Sequence, residues 1–305
     1  MLKHPVLALS SDRTKKAQWN NLCGDPADWF DSSFFRQYGI YGTTFDFFVD
    51  WENERISDEV WIKRISDSSD IQCLSEEALI ELISECDGRE KSRSLFWFLS
   101  SQNMLEKYML FRDVEEDRWA DGTEKVVELD LSRFGKDSVS YLDAAQIQER
   151  IRQLRKQPAS IGSAGLIYAT SSLEGYLSKQ EYFWPGDVDT VLYDRENRVL
   201  AILEFKKHTY RSKIPFKDQR LENYLLRDYL KYKSLAMLRD RFHTKLFVLY
   251  YPIPPSITYI IIEEVKGTPD RLFAGRREEY PLPMKRDMDC MNAFAEKFVR
   301  DILKS

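Results

Sequence analysis

Histidine and cysteine are scarce. The 305 residues contain only His4, His208 and His243, with Cys23, Cys73, Cys86 and Cys290. No two cysteines stand in C-x-x-C spacing, which argues against a zinc knuckle and a compact disulfide framework, and three histidines leave little for a histidine-rich metal centre. The expected state is four reduced thiols in a cytoplasmic protein. Glycine (12) and proline (11) are too few for a collagen-like or low-complexity chain. No stretch approaches the roughly 18 uninterrupted apolar residues of a membrane span. The apolar run Val6-Leu7-Ala8-Leu9 is too short for a signal peptide. Neither sign of charge dominates, with 45 Lys+Arg against 50 Asp+Glu. A net charge of −5 argues, for the chain as a whole, against a nucleic-acid partner. No internal repeat is visible.

What is present is apolar and aromatic material, 43% and 13% of positions, enough for one large domain or two modest ones. A helix is expected over 75–86, with Ser75 as its cap, Glu76 and Glu77 in the first turn, and Gly88 as its stop. Runs at 108–114 and 125–131 flank Asp121-Gly122 and read as a hairpin with a long loop. An amphipathic basic helix follows over 141–156, closed by Pro158. The pattern then changes to strands, a long helix and strands again. This places a domain boundary between residues 140 and 160, separating an N-terminal α+β domain of unassigned role (1–145) from a second domain (146–305).

The chemistry concentrates in Trp184-Pro185-Gly186-Asp187-Val188-Asp189-Thr190-Val191-Leu192-Tyr193 and Val199-Leu200-Ala201-Ile202-Leu203-Glu204-Phe205-Lys206-Lys207. Two apolar runs divided by five polar residues form a hairpin signal. If the turn is centred between Glu196 and Asn197, paired residues sum to 393, so Asp189 faces Glu204 and Asp187 faces Lys206 on one side of the strands. Val199 to Leu203 is a continuous apolar run of the kind covered on both faces, so the charges at its end emerge beside a core. Two carboxylates suit a hard cation such as Mg2+, which takes oxygen ligands and retains water. A lysine two residues past the glutamate can orient a water and offset charge on a phosphate.

Asp189, the hairpin and Glu204-Phe205-Lys206 resemble the PD-(D/E)XK nuclease superfamily over about residues 160–265. The resemblance implies an α/β restriction-endonuclease-like domain with an αβββαβ core, the crossover helix running over 216–241 and further strands over 245–251 and 257–265. It implies an enzyme, a metal-dependent nuclease that hydrolyses phosphodiester bonds. Asp189, Glu204 and Lys206 would be its catalytic residues and Mg2+ its cofactor, replaceable by Mn2+. Asp187 is an alternative to Asp189. An upstream helix of such enzymes often adds a glutamate, here Glu174, with Glu149 and Glu181 as rivals. Gln219 and Tyr224 are loosely similar to the glutamine and tyrosine that follow E-x-K in RecB-like members. The alternative is a catalytically silent member of the fold that binds nucleic acid or serves assembly.

Charge is unevenly placed. Residues 205–245 hold twelve Lys+Arg and four Asp+Glu, a local +8, which leaves −13 for the rest of the chain. Tyr210, Tyr224, Tyr229 and Tyr232 are interleaved with those cations, as in a nucleic-acid groove, although Leu221, Tyr224, Leu225, Tyr232 and Ala236 equally suit the core face of a helix. The expected partner is nucleic acid, DNA in preference to RNA, with no membrane.

Overall fold

A computed structural model describes residues 1–30, 33–133, 135, 138–158 and 165–303. Residues 159 and 160, at the end of the interval expected to hold the domain boundary, lie outside them, with 161–164. The described chain forms two compact units, and each is assembled from two separate segments. The first comprises Met1–Ala17 and Phe45–Asp187, the second Gln18–Thr44 and Val188–Ser305. The cut expected at 145/146 falls inside the helix Ala144–Arg155, in the interior of the first unit. Among the described residues no helix is long and apolar enough to cross a membrane.

The first unit contains strands β1 (Leu2–Lys3), β2 (Ala8–Leu9), β3 (Asp12–Lys16), most of β4 (Ile40–Asp50), β5 (Arg55–Ser66), β6 (Leu105–Phe111), β7 (Val126–Asp130), β8 (Val139–Leu142) and β9 (Tyr168–Ala169). Its main sheet runs β4-β5-β6-β7-β8, and β1 pairs with β5. β4 and β5 are antiparallel, and the helices Glu76–Asp87 and Arg89–Ser101 carry the chain to β6, which is parallel to β5. The expected helix is capped as read, with the Ala78 N–H donating to Ser75 Oγ and Gly88 closing it at φ +83. The hairpin expected before and after Asp121-Gly122 is the β6–β7 pair. Asp143 and Gln146 cap the helix Ala144–Arg155 reciprocally. Ile147 and Ile151 bury that helix against Phe48, Trp61, Phe111, Trp119 and Trp184. Each such aromatic contributes about 1.5–3 kcal/mol by leaving water.

The second unit orders its strands as β10 (Gly186–Asp194), β11 (Val199–His208), β12 (Leu246–Pro252), β13 (Tyr259–Thr268) and β14 (Arg271–Pro281). The β10–β11 register is Thr190↔Leu203, Val191↔Ile202 and Leu192↔Ala201, the sum of 393 expected from the sequence, and it shifts at a bulge before Tyr193. Asn197 turns the hairpin at φ 61, and Asp194 Oδ1 accepts the N–H groups of Glu196 and Arg198. Alternate residues of β11 point to opposite layers. Leu203 and Phe205 meet Phe30, Phe294 and Phe298, while Glu204 and Lys206 face the crossover.

That crossover is not the single helix expected over 216–241. It is a 3-10 turn at Phe216–Asp218, one helical turn at Glu222–Leu225, and the helix Tyr229–Arg241. Buried Glu263 accounts for the first interruption. It accepts the Leu221 N–H at 2.7 Å and the Tyr250 hydroxyl at 2.9 Å, while Arg277 donates to the Gln219 and Lys217 carbonyls. Asp228, at φ −110 and ψ 26, makes the second.

The two units share one topology although the sequence shows no repeat. Each has an antiparallel hairpin, a helical crossover that ends in a 13-residue helix, a strand parallel to the hairpin's second strand, two further antiparallel strands and a closing helix. In each, the third residue from the carboxyl end of the hairpin's second strand is a cation paired with an aspartate one or two residues before the crossover's last helix. These pairs are Arg64 with Asp87 and Lys206 with Asp228.

Candidate active site

Lys206 and Glu204 project from β11 toward the helix Tyr229–Arg241. Lys206 Nζ lies 3.0 Å from Glu204 Oε1, and Lys231, from the first turn of that helix, lies 2.8 Å from the same atom. Glu204 is 1% exposed. The two ammonium groups offset the carboxylate charge at Oε1, whereas Oε2 has no hydrogen-bond partner. A buried carboxylate oxygen left so is costly unless a cation or water completes it. Tyr232 Oη is a further buried polar atom without a hydrogen-bond partner in this unit.

Lys206 is held on several sides. Asp228 Oδ2 lies 3.4 Å from its Nζ, and the rings of Tyr224 and Tyr232 lie 5.2 and 5.3 Å away, close enough for cation–π attraction. Burial pushes the Asp228 carboxyl up, but hydrogen bonding from Arg227 and the charge of Lys206 outweigh it and hold the group below its ordinary value. Burial raises both phenols, so the tyrosines stay neutral at pH 7. The Tyr224 hydroxyl donates to Gln219 Oε1, and Gln219 Nε2 lies 3.5 Å from His208 Nδ1. Gln219 and Tyr224, linked only by a loose spacing in the sequence, are therefore in contact.

Asp189, on β10, receives the Phe205 N–H at Oδ2. The ladder register, continued one residue, sets it opposite Glu204. Asp187 and Glu174 belong to the first unit. Glu174 Oε2 accepts from the Thr170 N–H and hydroxyl and lies 3.4 Å from Lys63 Nζ, and Lys63 also lies 3.3 Å from Asp46. Of the rivals, Glu149 is paired with Arg152 and Gln153 on its own helix. The structure thus gathers Glu204 and Lys206, seats Asp189 on the neighbouring strand, and engages Glu174 elsewhere. Sequence reading missed Lys231 and Asp228, although their i,i+3 spacing on one helical face was a usable signal.

The basic run divides into two uses. Arg239 is buried and donates to the Val265 and Gly267 carbonyls, and Lys233 pairs with Asp270, so these cations serve the fold. Arg211, Lys213, Lys217, Arg220 and Arg227 are exposed in the segment between β11 and the last crossover helix. Tyr210 is exposed with them, whereas Tyr232 belongs to the core. No family model, curated protein or solved structure matches the chain.

Proposed function

We infer that the chain is a Mg2+-dependent nuclease with a restriction-endonuclease-like second unit, acting on DNA in preference to RNA. The observation that carries this reading is Glu204, a buried carboxylate whose Oε2 lacks a hydrogen-bond partner, next to Lys206 at the carboxyl end of a strand that starts a parallel crossover. Open α/β sheets bind ligands beyond such strand ends. The hairpin, the crossover and the parallel strand follow the order that the sequence resemblance implies, which supports the same reading.

Asp189 and Glu204 supply oxygen donors of the kind Mg2+ takes, and Glu204 Oε2, which lacks a hydrogen-bond partner, fits such an ion. When bound, Mg2+ would supply Lewis-acid polarisation of a phosphate oxygen. The rest falls to the chain's own groups. Lys206 orients the attacking water and offsets the charge that grows on the phosphate oxygens. Asp228, Tyr224 and Tyr232 fix its ammonium group. Lys231 adds a second positive charge, and the exposed cations of residues 211–227 hold the flanking phosphates. Incubation of purified protein with DNA and RNA tests the reading: cleavage with Mg2+ and none with chelator is expected, with loss in Lys206→Ala and Asp189→Asn.

One observation favours a second reading. With Lys231 and Lys206 both on Oε1, the Glu204 charge is already balanced, as in a catalytically silent nucleic-acid-binding member of the fold. Such a protein would bind nucleic acid with no Mn2+ site at Glu204.

A further inference from the structure

We propose that the first unit binds a divalent transition metal, Zn2+ by the character of its donors, at His4, Cys86 and Asp87. One ligand atom from each of these residues lies within 4.8 Å of the others, and no other His/Cys/Asp/Glu group among the described residues brings three so close. Imidazole, thiolate and carboxylate together suit Zn2+, whereas Mg2+ and Ca2+ prefer oxygen alone.

The chain builds this cluster from two local features. The helix Glu76–Asp87 delivers Cys86 and Asp87 at consecutive positions of its last turn, where Gly88 redirects the backbone. The pairing of β1 with β5, Leu2↔Ser66 and Lys3↔Ile65, brings the following residue, His4, to that helix end, with Nε2 3.5 Å from Asp87 Oδ1.

Supporting groups surround the three donors as they do around established metal ligands. Arg64 donates through Nε and Nη2 to Asp87 Oδ1 and Oδ2 at 2.6 and 2.7 Å, and the Tyr108 hydroxyl donates to Oδ2 at 3.1 Å. This fixes the carboxylate while Oδ1, which faces His4, keeps lone-pair capacity. The Cys86 backbone hydrogen-bonds the His4 ring, which orients the imidazole at this helix end. Binding replaces the Cys86 Sγ–H bond by an Sγ–metal bond and releases one proton to solvent, with no change of oxidation state. His4 is about half exposed, which leaves a fourth position to water or a ligand.

The location is meaningful in the fold. Arg64 and Asp87 occupy in the first unit the topological place that Lys206 and Asp228 occupy in the second. Where the second unit adds Glu204 and Lys231, the first adds a thiol and an imidazole. The inference is independent of the nuclease reading.

Titration of the chelator-treated full chain with Co2+, then Zn2+, tests it. Addition of Co2+ is expected to produce a sulfur-to-cobalt charge-transfer absorption that Zn2+ abolishes. Cys86→Ser should lose the absorption, and exposed His4→Ala should weaken binding by at least about tenfold. Cys73→Ser should change neither. Zn2+ should also slow alkylation of Cys86 in the native chain and not in His4→Ala. A native chain without the absorption, or a Cys86→Ser chain that retains it, would overturn the proposal.

Discussion

Lys231, at the start of the helix Tyr229–Arg241, reaches across 2.8 Å to Oε1 of Glu204 on β11. The contact joins the crossover helix to the strand end and puts two ammonium groups on one buried carboxylate. A divalent ion at Glu204 must therefore share that carboxylate with Lys206 and Lys231, and the balance among these charges decides how tightly it is held.

Removing Lys231 removes one competitor. Lys231→Ala is expected to bind Mn2+ about tenfold more tightly, equivalent to about 1.4 kcal/mol. Calorimetric Mn2+ titration of the variant beside the native chain measures this, and equal or weaker affinity would count against a metal at Glu204.

Glu263 governs the shape of the crossover. Its carboxylate receives the Leu221 N–H and the Tyr250 hydroxyl and lies 3.4 Å from Arg277, all while 1% exposed. Glu263→Ala leaves a buried hydroxyl and a cation unpaired, and a loss of about 3 kcal/mol is expected. Urea unfolding reads the change, and a midpoint within error of the native one would show that the network is dispensable.

Glu106 makes stability depend on pH. Burial, reinforced by the charge of Asp87, pushes its carboxyl from 4.5 up to about 8. The folded chain keeps a proton there that the unfolded chain releases near pH 4.5. Stability from this group is complete below that pH and is lost as pH rises through 8, by up to about 1.4 kcal/mol per pH unit. Urea midpoints at pH 5, 6.5 and 8 should fall in the native chain along a steeper line than in Glu106→Gln.

The exposed cations between β11 and the last crossover helix should set the salt dependence of nucleic-acid binding. Changing Arg211, Lys213 and Lys217 together to alanine is expected to reduce the slope of log affinity against log salt by about two to three, since each phosphate contact contributes roughly 0.9. Fluorescence anisotropy over a salt series measures the slope, and an unchanged value would place the phosphates elsewhere.

The β10–β11 hairpin was legible because apolar runs with charged ends fix both strand and register. A one-residue slip would have sent Leu203 to the wrong layer. The helix Glu76–Asp87 was legible through its Ser75 cap and Gly88 stop. The interruption of the crossover was not, because its causes, Glu263 and Arg277, are over forty residues further along the chain. β14 escaped notice because four consecutive charged residues, Arg276, Arg277, Glu278 and Glu279, fill its second half and break any apolar alternation. The two units were hidden because each draws on two separate segments, and their common topology is carried by strand order with no repeated residues to reveal it. At the site, Glu204 and Lys206 were readable as neighbours on one strand face, whereas Lys231 joins them only through tertiary packing.

Mg2+-dependent cleavage by the native chain, Glu204→Gln and Lys206→Ala, measured side by side on DNA and RNA with circular dichroism to show that each variant is folded, tests the central claim most directly. The account predicts cleavage by the native chain that chelator abolishes, and a fall of about 100-fold or more in each variant, the scale on which loss of one transition-state charge partner acts. Equal cleavage by all three folded proteins, or none by the native chain with Mg2+ or Mn2+, would contradict it.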